Sequence, residues 1–331
     1  PAAMSPLRIG VLGAARIAPA AVIRPARHVA DAEVVAVAAR DRDRASAFAA
    51  NHHIPRVLSS YEELVGDPDI DAVYNPLPNG LHGRWTMAAV AAGKHVLCEK
   101  PFTANADEAR AVAAAVPADR VVMEAFHYRY HPVFMRARQL LEEGAVGALR
   151  RIETWLCFPL PRFKDIRYQF GLAGGATMDA GCYAIHMARH LAGTEPQVVS
   201  AHAKLHSPGV DRAMRAELRF GAGCTGRVTC SMWSRQLLHI GFRVTGDAGE
   251  LRVFNPVGPN FYHRIALRGR GRRTVEHLSR RPTYEFQLEA FCRAVGGGEA
   301  PVTGVSDAIA NMEVIDAVYR SAGLEPRLPT G

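Results

Sequence analysis

Long apolar runs are missing from this chain, and so is any paired-cysteine motif. No stretch approaches the ~18 consecutive apolar residues that a bilayer span requires, so no membrane partner is expected. The opening Pro1-Ala2-Ala3-Met4-Ser5-Pro6 has neither the basic segment nor the apolar core of a secretory leader, and Met4 is a candidate natural start. Six cysteines are scattered through 331 residues without a C-x-x-C pair, which argues against a zinc ribbon or a redox dithiol. Free thiols in a reducing compartment are the simpler reading, and a cytoplasmic location is expected. Internal repeats and low-complexity tracts are also lacking. Acidic residues are the scarcer charged class, 32 against 40 Lys plus Arg, for a formal charge of +8. Arginine is far commoner than lysine but mostly spread singly, and no nucleic-acid-reading motif accompanies it, so no nucleic-acid partner is expected. The densest run, Arg268-Gly269-Arg270-Gly271-Arg272-Arg273, reads as a solvated hairpin tip. An anionic cofactor or substrate is a more economical use of some of the positive charge.

What is present is ample core material, with 48% of residues hydrophobic, and enough length for two domains. The first part alternates short apolar runs (Leu7–Leu12, Val34–Ala38, Ala72–Asn75, Val96–Glu99, Val121–Ala125) with alanine-rich stretches at helical spacing, such as Ala45–Asn51, Trp85–Ala92 and Glu108–Val116. Repeated β-then-α units predict a doubly wound parallel sheet, whose strands are apolar on both faces. From Leu149 the pattern changes to alternating segments: Arg151–Phe158, Val198–Leu205, Ala213–Phe220, Cys224–Trp233, Ile240–Thr245 and Glu250–Phe254. These predict a large, mostly antiparallel open sheet, interrupted by a helix at Ala176–Leu191 and followed by helices near Phe286–Val295 and Ser306–Ser321. The fold class is α/β: an N-terminal Rossmann domain over residues 5–126, then an α+β domain over 127–331.

The first strand runs into Gly13-Ala14-Ala15-Arg16-Ile17-Ala18. This is the G-x-G-x-x-G dinucleotide fingerprint with alanine at its second and third small positions. Gly13 can make the tight turn, Ala15 stays small where backbone approaches pyrophosphate, and Ala18 permits close packing of a following helix, whose free N–H groups would meet the phosphates. The end of the second strand reads Ala38-Ala39-Arg40-Asp41-Arg42, with no carboxylate on the strand end itself. An arginine there accommodates a 2′-phosphate, so NADP(H) is preferred over NAD(H), with Arg40 on the phosphate and Arg42 as helper. In the opposing reading Arg40 is solvated and Asp41 takes the ribose hydroxyls.

The strand Val96–Glu99 runs into Lys100-Pro101. Ligands of open parallel sheets bind beyond the carboxyl ends of the strands, which puts Lys100 where nicotinamide and substrate meet. A lone loop lysine otherwise reads as surface charge. Further along, Asp179, Tyr183, His186 and His190 are spaced i, i+4, i+7, i+11, one polar stripe on an apolar helix, with Gly174-Gly175 allowing a close turn before it.

Four segments together decide between these readings: Asp67–His82, Ala92–Pro101 with its Glu99-Lys100-Pro101 block, Glu124–Pro132, and Gly174–Tyr183. They resemble the glucose–fructose oxidoreductase/inositol dehydrogenase/rhizopine catabolism family over most of the chain. The resemblance implies a nicotinamide-dependent oxidoreductase acting on CH–OH or ketone carbons of sugars, polyols or diols, with Lys100 catalytic. Tyr183 occupies the place of the acid–base histidine of many sugar-active members, as in the dihydrodiol dehydrogenase and sugar ketoreductase branches. A free phenol ionises near pH ~10, and a neighbouring ammonium favours its phenolate. Lys100 would supply that charge and polarise the carbonyl oxygen, with Asp179 orienting substrate or Lys100. The cofactor set is Gly13, Ala14, Ala15, Arg16, Ile17, Arg40, Pro76, Leu77, Asn79, His82, Glu99 and Lys100. Arg167, His186 and Tyr128 are candidates for the substrate side, and Arg167 equally reads as a surface residue.

His186 and His190 have the i, i+4 spacing of zinc helices, but H-E-x-x-H is absent and no third ligand is evident from spacing, so no metal is expected. A cis peptide before Pro101 is expected. The open sheet leaves a face needing cover, which predicts a homodimer or homotetramer. Two other functions fit the same scaffold: an NAD-dependent glycosidase that holds and recycles its cofactor, and a non-catalytic NADP(H) sensor. A sensor needs neither Lys100 nor Tyr183.

Overall fold

A computed structural model describes residues 5–269 and 271–331, so Met4 and Arg270 lie outside the described residues. The chain divides into two units. The first runs through His127 and takes in Tyr284–Ala308; the second is Tyr128–Thr283 with Ile309–Thr330. The return of Tyr284–Ala308 to the first unit has no counterpart in a simple split after residue 126. Among the described residues no helix is long and apolar enough to cross a membrane.

In the first unit the strands β1 (Leu7–Leu12), β2 (Ala32–Ala38), β3 (Arg56–Leu58), β4 (Ala72–Asn75), β5 (His95–Cys98) and β6 (Val122–Glu124) form one sheet in the order β3-β2-β1-β4-β5-β6. Every pairing is parallel. Burial on both faces explains the unbroken apolar runs: Val11, Leu12, Ala36, Val37, Val73 and Val96 are all fully buried. The order reverses between β1 and β4, the switch point where ligands of such sheets bind. Helices α1 (Arg42–His52), α2 (Tyr61–Gly66), α3 (His82–Ala91) and α4 (Ala106–Ala115) connect the strands, and Asp41, Ser60 and Asn105 cap the first, second and fourth through their side chains. The crossover after β1 differs from the expected helix. Pro19 and Pro25 break it into a π-helical turn, Pro19–Ile23, and a 3-10 turn, Pro25–Arg27, because each ring removes a backbone donor. Thr303 of the returning segment bonds to β6 through backbone and side chain: Glu124 N–H donates to Thr303 O (2.8 Å) and Thr303 Oγ1 to Glu124 O (2.7 Å).

The second unit opens with α5 (Pro132–Glu142), capped by His131. It is built on the strands β7 (Leu149–Cys157), β8 (Gln197–Ser207), β9 (Val210–Arg219), β10 (Thr225–Ser231), β11 (His239–Gly246), β12 (Gly249–Phe254), β13 (Arg264–Gly269) and β14 (Arg272–Glu276). Their order is β14-β13-β12-β11-β7-β10-β9-β8, antiparallel except where β10 runs alongside β7. Of the arginine-rich run, Arg268 pairs with Arg273 and Gly269 with Arg272 in the β13–β14 ladder, and Arg270 lies outside the described residues. The expected helix at 176–191 is two pieces, a π-helical turn Thr177–Gly181 and α6 (Cys182–Ala192). The helix packs on β7, where Thr154 Oγ1 donates to Ala184 O (2.7 Å). By strand alternation Ile152, Thr154 and Leu156 share that face, while Glu153 and Trp155 take the other. Helices α7 (Thr283–Val295) and α8 (Val305–Ser321) complete the chain. All six cysteines are buried and none is in a disulfide.

Candidate active site

The first unit gathers its candidate residues at the carboxyl ends of β1, β2, β4 and β5. Gly13 turns out of β1 with φ +82°, its N–H donating to Ala38 O at the end of β2 (2.6 Å). A Cβ at Gly13 would stand 3.1 Å from Leu77 Cδ2 as well as in a backbone region that L residues avoid. Ala14, Ala15, Arg16 and Ile17 continue the turn, which Ala18 N–H closes onto Ala15 O (3.2 Å), and Arg16 and Ile17 are exposed. This is a small-residue cradle of the kind that backbone-to-phosphate approach requires.

At the end of β2, Arg40 is exposed, and Asp41 is occupied in capping α1, its Oδ1 accepting from Arg44 N–H (3.0 Å). Arg44 was not singled out by sequence reasoning. Its guanidinium donates to Ala14 O (2.8 Å), joining the β2 end to the phosphate loop. The alternation Arg40-Asp41-Arg42-Asp43-Arg44 was the available signal. Burial raises the Tyr61 phenol, against the pull of the Arg40 and Arg44 charges beside it.

Past β4, Asn75 is fully buried, with Nδ2 donating to His82 O (3.1 Å) and Thr86 Oγ1 (3.3 Å). Pro76 and Leu77 are buried, and Asn79 is half-buried at the start of a 3-10 turn. His82 is buried with Nε2 2.7 Å from Leu77 O and Nδ1 2.7 Å from Pro101 O. It therefore ties the loop after β4 to the loop after β5. Burial pushes its ring down to about 4, with the Lys100 charge adding to the effect and the two carbonyls opposing it. A neutral ring donates to one of those carbonyls at a time.

Glu99 and Lys100 follow β5. Tyr74 O–H donates to Glu99 Oε1 (2.8 Å), and Glu99 N–H donates to Asn75 O (3.0 Å). The Lys100–Pro101 peptide is cis, as expected, and Lys100 is half-buried. Tyr284 of α7, which sequence reasoning missed, lies near Glu99. Burial, and then the Glu99 charge, raise its phenol above the ordinary range. Its ring lies 4.1 Å from that of His127. Nothing local in Thr283-Tyr284-Glu285 announces this placement, because it is set by the return of the chain.

The second unit gathers Tyr128, Arg167, Asp179, Tyr183 and His186. Tyr183 sits on the first turn of α6, 6% exposed, and Asp179 in the π turn just before it. Arg167 Nε lies 3.3 Å from Asp179 Oδ1, so the loop arginine and the helix carboxylate form one pair. Tyr128 and His186 are both fully buried, and Tyr128 Oη lies 2.5 Å from His186 Nδ1. The Tyr128 ring is 5.9 Å from Tyr183, and His186 is 4.2 Å from His190. Asn311 of α8 pins the helix start by donating to Cys182 O (3.3 Å), and Arg189 pairs with Glu195 (2.6 and 2.8 Å) near its end.

Both units resemble known proteins. Residues 7–127 match the family described as an oxidoreductase family with an NAD-binding Rossmann fold, and residues 134–252 match the GFO/IDH/MocA C-terminal domain. A D-xylose 1-dehydrogenase (NADP(+)) from Haloferax volcanii is 40% identical over 321 residues, covering 96% of this chain and 97% of that one. A dTDP-3,4-didehydro-2,6-dideoxy-alpha-D-glucose 3-reductase from Actinomadura kijaniata is 33% identical, covering 97% of each. The crystal structure of a 3-ketoreductase from Actinomadura kijaniata, in complex with NADP and TDP-benzene, superposes with a TM-score of 0.88 at 30% identity, covering 96% of this chain and 98% of that one.

Proposed function

The chain belongs to the GFO/IDH/MocA oxidoreductase family, and from that premise we propose that it is an NADP(H)-dependent oxidoreductase for a CH–OH or ketone carbon of a sugar, polyol or diol. An aldose is the first substrate to try. The observation that carries the reading is the end-to-end similarity to an NADP-dependent D-xylose dehydrogenase. NADP(H) preference draws support from Asp41, which is used up as a helix cap and leaves Arg40, with Arg42 and Arg44 in the next turn, for a 2′-phosphate.

The chain fits such a cofactor: the Gly13 cradle has a left-handed backbone and leaves little room for a Cβ beside Leu77, and the strand ends at the switch point carry the buried Asn75 and His82 and the half-buried Lys100. When bound, NADP(H) gives or takes the hydride. Gly13 to Ala15 present backbone to its phosphates. His82 holds Leu77 and Pro101 in register, and so fixes the turn that carries Lys100. Lys100 polarises the substrate oxygen, and Tyr183 exchanges the hydroxyl proton. The Arg167–Asp179 pair orients substrate hydroxyls. Self-association, as a dimer or tetramer, would cover the sheet face that bears Glu153, Trp155, Arg227 and Arg243. A light-scattering mass equal to one chain would contradict that part.

Fluorescence titration with NADPH and NADH tests the cofactor assignment. Wild type is expected to bind NADPH at least about tenfold more tightly, and Arg40→Ala to remove most of that preference, as loss of a charge-assisted hydrogen bond would. Equal binding of the two cofactors by wild type would overturn it.

A further inference from the structure

The second unit contains a buried charged cluster that no step above uses. Asp211 of β9 and Arg327 of the C-terminal tail are both 0% exposed, and Arg327 Nη2 donates to Asp211 Oδ1 at 3.0 Å. Tyr319 of α8 donates its hydroxyl to the same oxygen (3.0 Å). The other oxygen, Oδ2, accepts from both the N–H and the Oγ1 of Thr177, each at 2.7 Å. A carboxylate with four donors on its two oxygens is saturated. The guanidinium lies over the Tyr319 ring (4.1 Å) and near that of Phe170 (5.2 Å), and Nε donates to Gly174 O (2.7 Å). Burial raises the Tyr319 phenol well above its ordinary range, and the Asp211 charge adds to this, so the phenol stays a neutral donor.

Every arm of this cluster closes on one joint, Gly175. A Cβ there would stand 2.2 Å from Asp211 Oδ1, 2.8 Å from Tyr319 Oη and 2.9 Å from Arg327 Nη2, so the backbone is gripped directly against the cluster. From this joint, Gly175 N–H donates to Arg167 O (2.8 Å) and Asp179 N–H donates to Gly175 O (3.0 Å). Arg167 and Asp179 are the two residues whose side chains meet at 3.3 Å. The joint therefore sets the backbone of both members of that pair.

Buried ion pairs commonly add little net stability over an apolar replacement, because desolvation consumes the Coulombic gain. What this one adds is geometry: a fork of donors that fits one arrangement of Gly174, Gly175 and Thr177. We propose that Asp211, Tyr319 and Arg327 are positioning residues that lock the Gly174-Gly175 joint and thereby hold Arg167 and Asp179 in the spacing that the sugar substrate needs. The inference rests on the substrate role proposed for Arg167 and Asp179, and it gives the C-terminal tail a part in catalysis without contact with the reacting atoms.

The test uses the full chain with Arg327→Lys, which keeps the charge but loses the fork, and Tyr319→Phe, which keeps the ring but loses one donor. Three quantities are measured well below the melting temperature: NADPH affinity, kcat and KM for the sugar, and amide exchange at Gly175 and Asp179. A misplacement of ~1 Å in a positioning shell can cost on the order of a hundredfold. Arg327→Lys is expected to lower kcat/KM by about tenfold or more, mainly through KM, and Tyr319→Phe by less. Exchange should quicken at Gly175 and Asp179 alone, with NADPH affinity unchanged. Wild-type kinetics and exchange in folded variants would overturn the proposal. So would a loss of NADPH binding together with faster exchange throughout, since that marks a general stabiliser. If the wild type turns over no sugar, the functional reading fails, and local exchange still decides whether the cluster governs the joint.

Discussion

The two units place their candidate residues by different physics. In the first, the sites are strand ends. A parallel sheet aligns all its carboxyl ends on one edge, so Gly13, Arg40, Asn75 and Lys100 converge because β1, β2, β4 and β5 are neighbours. Burial of Asn75 and His82 then fixes the loops between them through hydrogen bonds to backbone. In the second unit the sheet supplies a platform only. The turn that carries its candidate residues lies before α6, and residues from β9, α8 and the tail hold it. The first arrangement tolerates changes in side chains as long as strand order persists. The second depends on contacts among residues as far apart as Arg167 and Arg327.

That contrast can be broken most forcefully at the proposed chemistry. Lys100→Met is expected to lower kcat by on the order of a thousandfold while NADPH affinity stays within a few-fold, and Tyr183→Phe by on the order of a hundredfold or more, both read from steady-state kinetics. A Lys100→Met enzyme with near-normal kcat would place the chemistry elsewhere.

Stability against pH sharpens the comparison next, through His82 in the first unit and His131 in the second. Burial pushes both His82 and His131 down to about 4. His131 Nδ1 accepts the Val133 N–H at the start of α5 (3.2 Å), a bond available only to a ring unprotonated at that nitrogen. An unfolded histidine takes up its proton near pH ~6.5, the folded ones only near 4, so between those values the unfolded chain binds more protons. Stability therefore rises with pH across that window: it is fully present above about 6.5 and lost as pH falls toward 4. The full swing is about 3 kcal/mol per ring. Denaturant curves of His131→Asn, which keeps a capping oxygen, should show a shallower acid loss than wild type. An identical slope would remove His131 from the account.

Replacing Gly13 by Ala probes the strand-end edge directly. A left-handed backbone at an L residue costs on the order of 1 kcal/mol, and the added methyl meets Leu77, so both stability and NADPH affinity should fall. The smallest effect is expected at Asp41. Asparagine caps helices as well as aspartate does, so Asp41→Asn should leave the ratio of NADPH to NADH affinity within about twofold of wild type. A large shift in that ratio would make Asp41 a ribose ligand after all.

Much of the first unit was legible because buried parallel strands write themselves as apolar runs, and Leu7–Leu12 and Ala72–Asn75 appear in the structure with the same bounds. Strand β3 was not seen, since Arg56-Val57-Leu58 is too short to show a period. The crossover after β1 was misread as a regular helix because the small-residue pattern outweighed Pro19 and Pro25. In the second unit the alternation of β7 to β12 was plain, and Gly174-Gly175 correctly marked a close turn. What gripped that turn was invisible: neither Asp211 nor Arg327, set in Glu325-Pro326-Arg327-Leu328-Pro329, was singled out by sequence reasoning. Partners so distant in sequence leave no periodic trace.

The most direct test is a single assay of NADP reduction with a panel of aldoses, D-xylose first, on wild type and Tyr183→Phe. The account predicts net formation of NADPH in step with oxidation of the sugar by wild type, and its near-loss in Tyr183→Phe with cofactor still bound. Release of an aglycone from glycosides without net NADPH, or sugar oxidation undiminished in Tyr183→Phe, would contradict it.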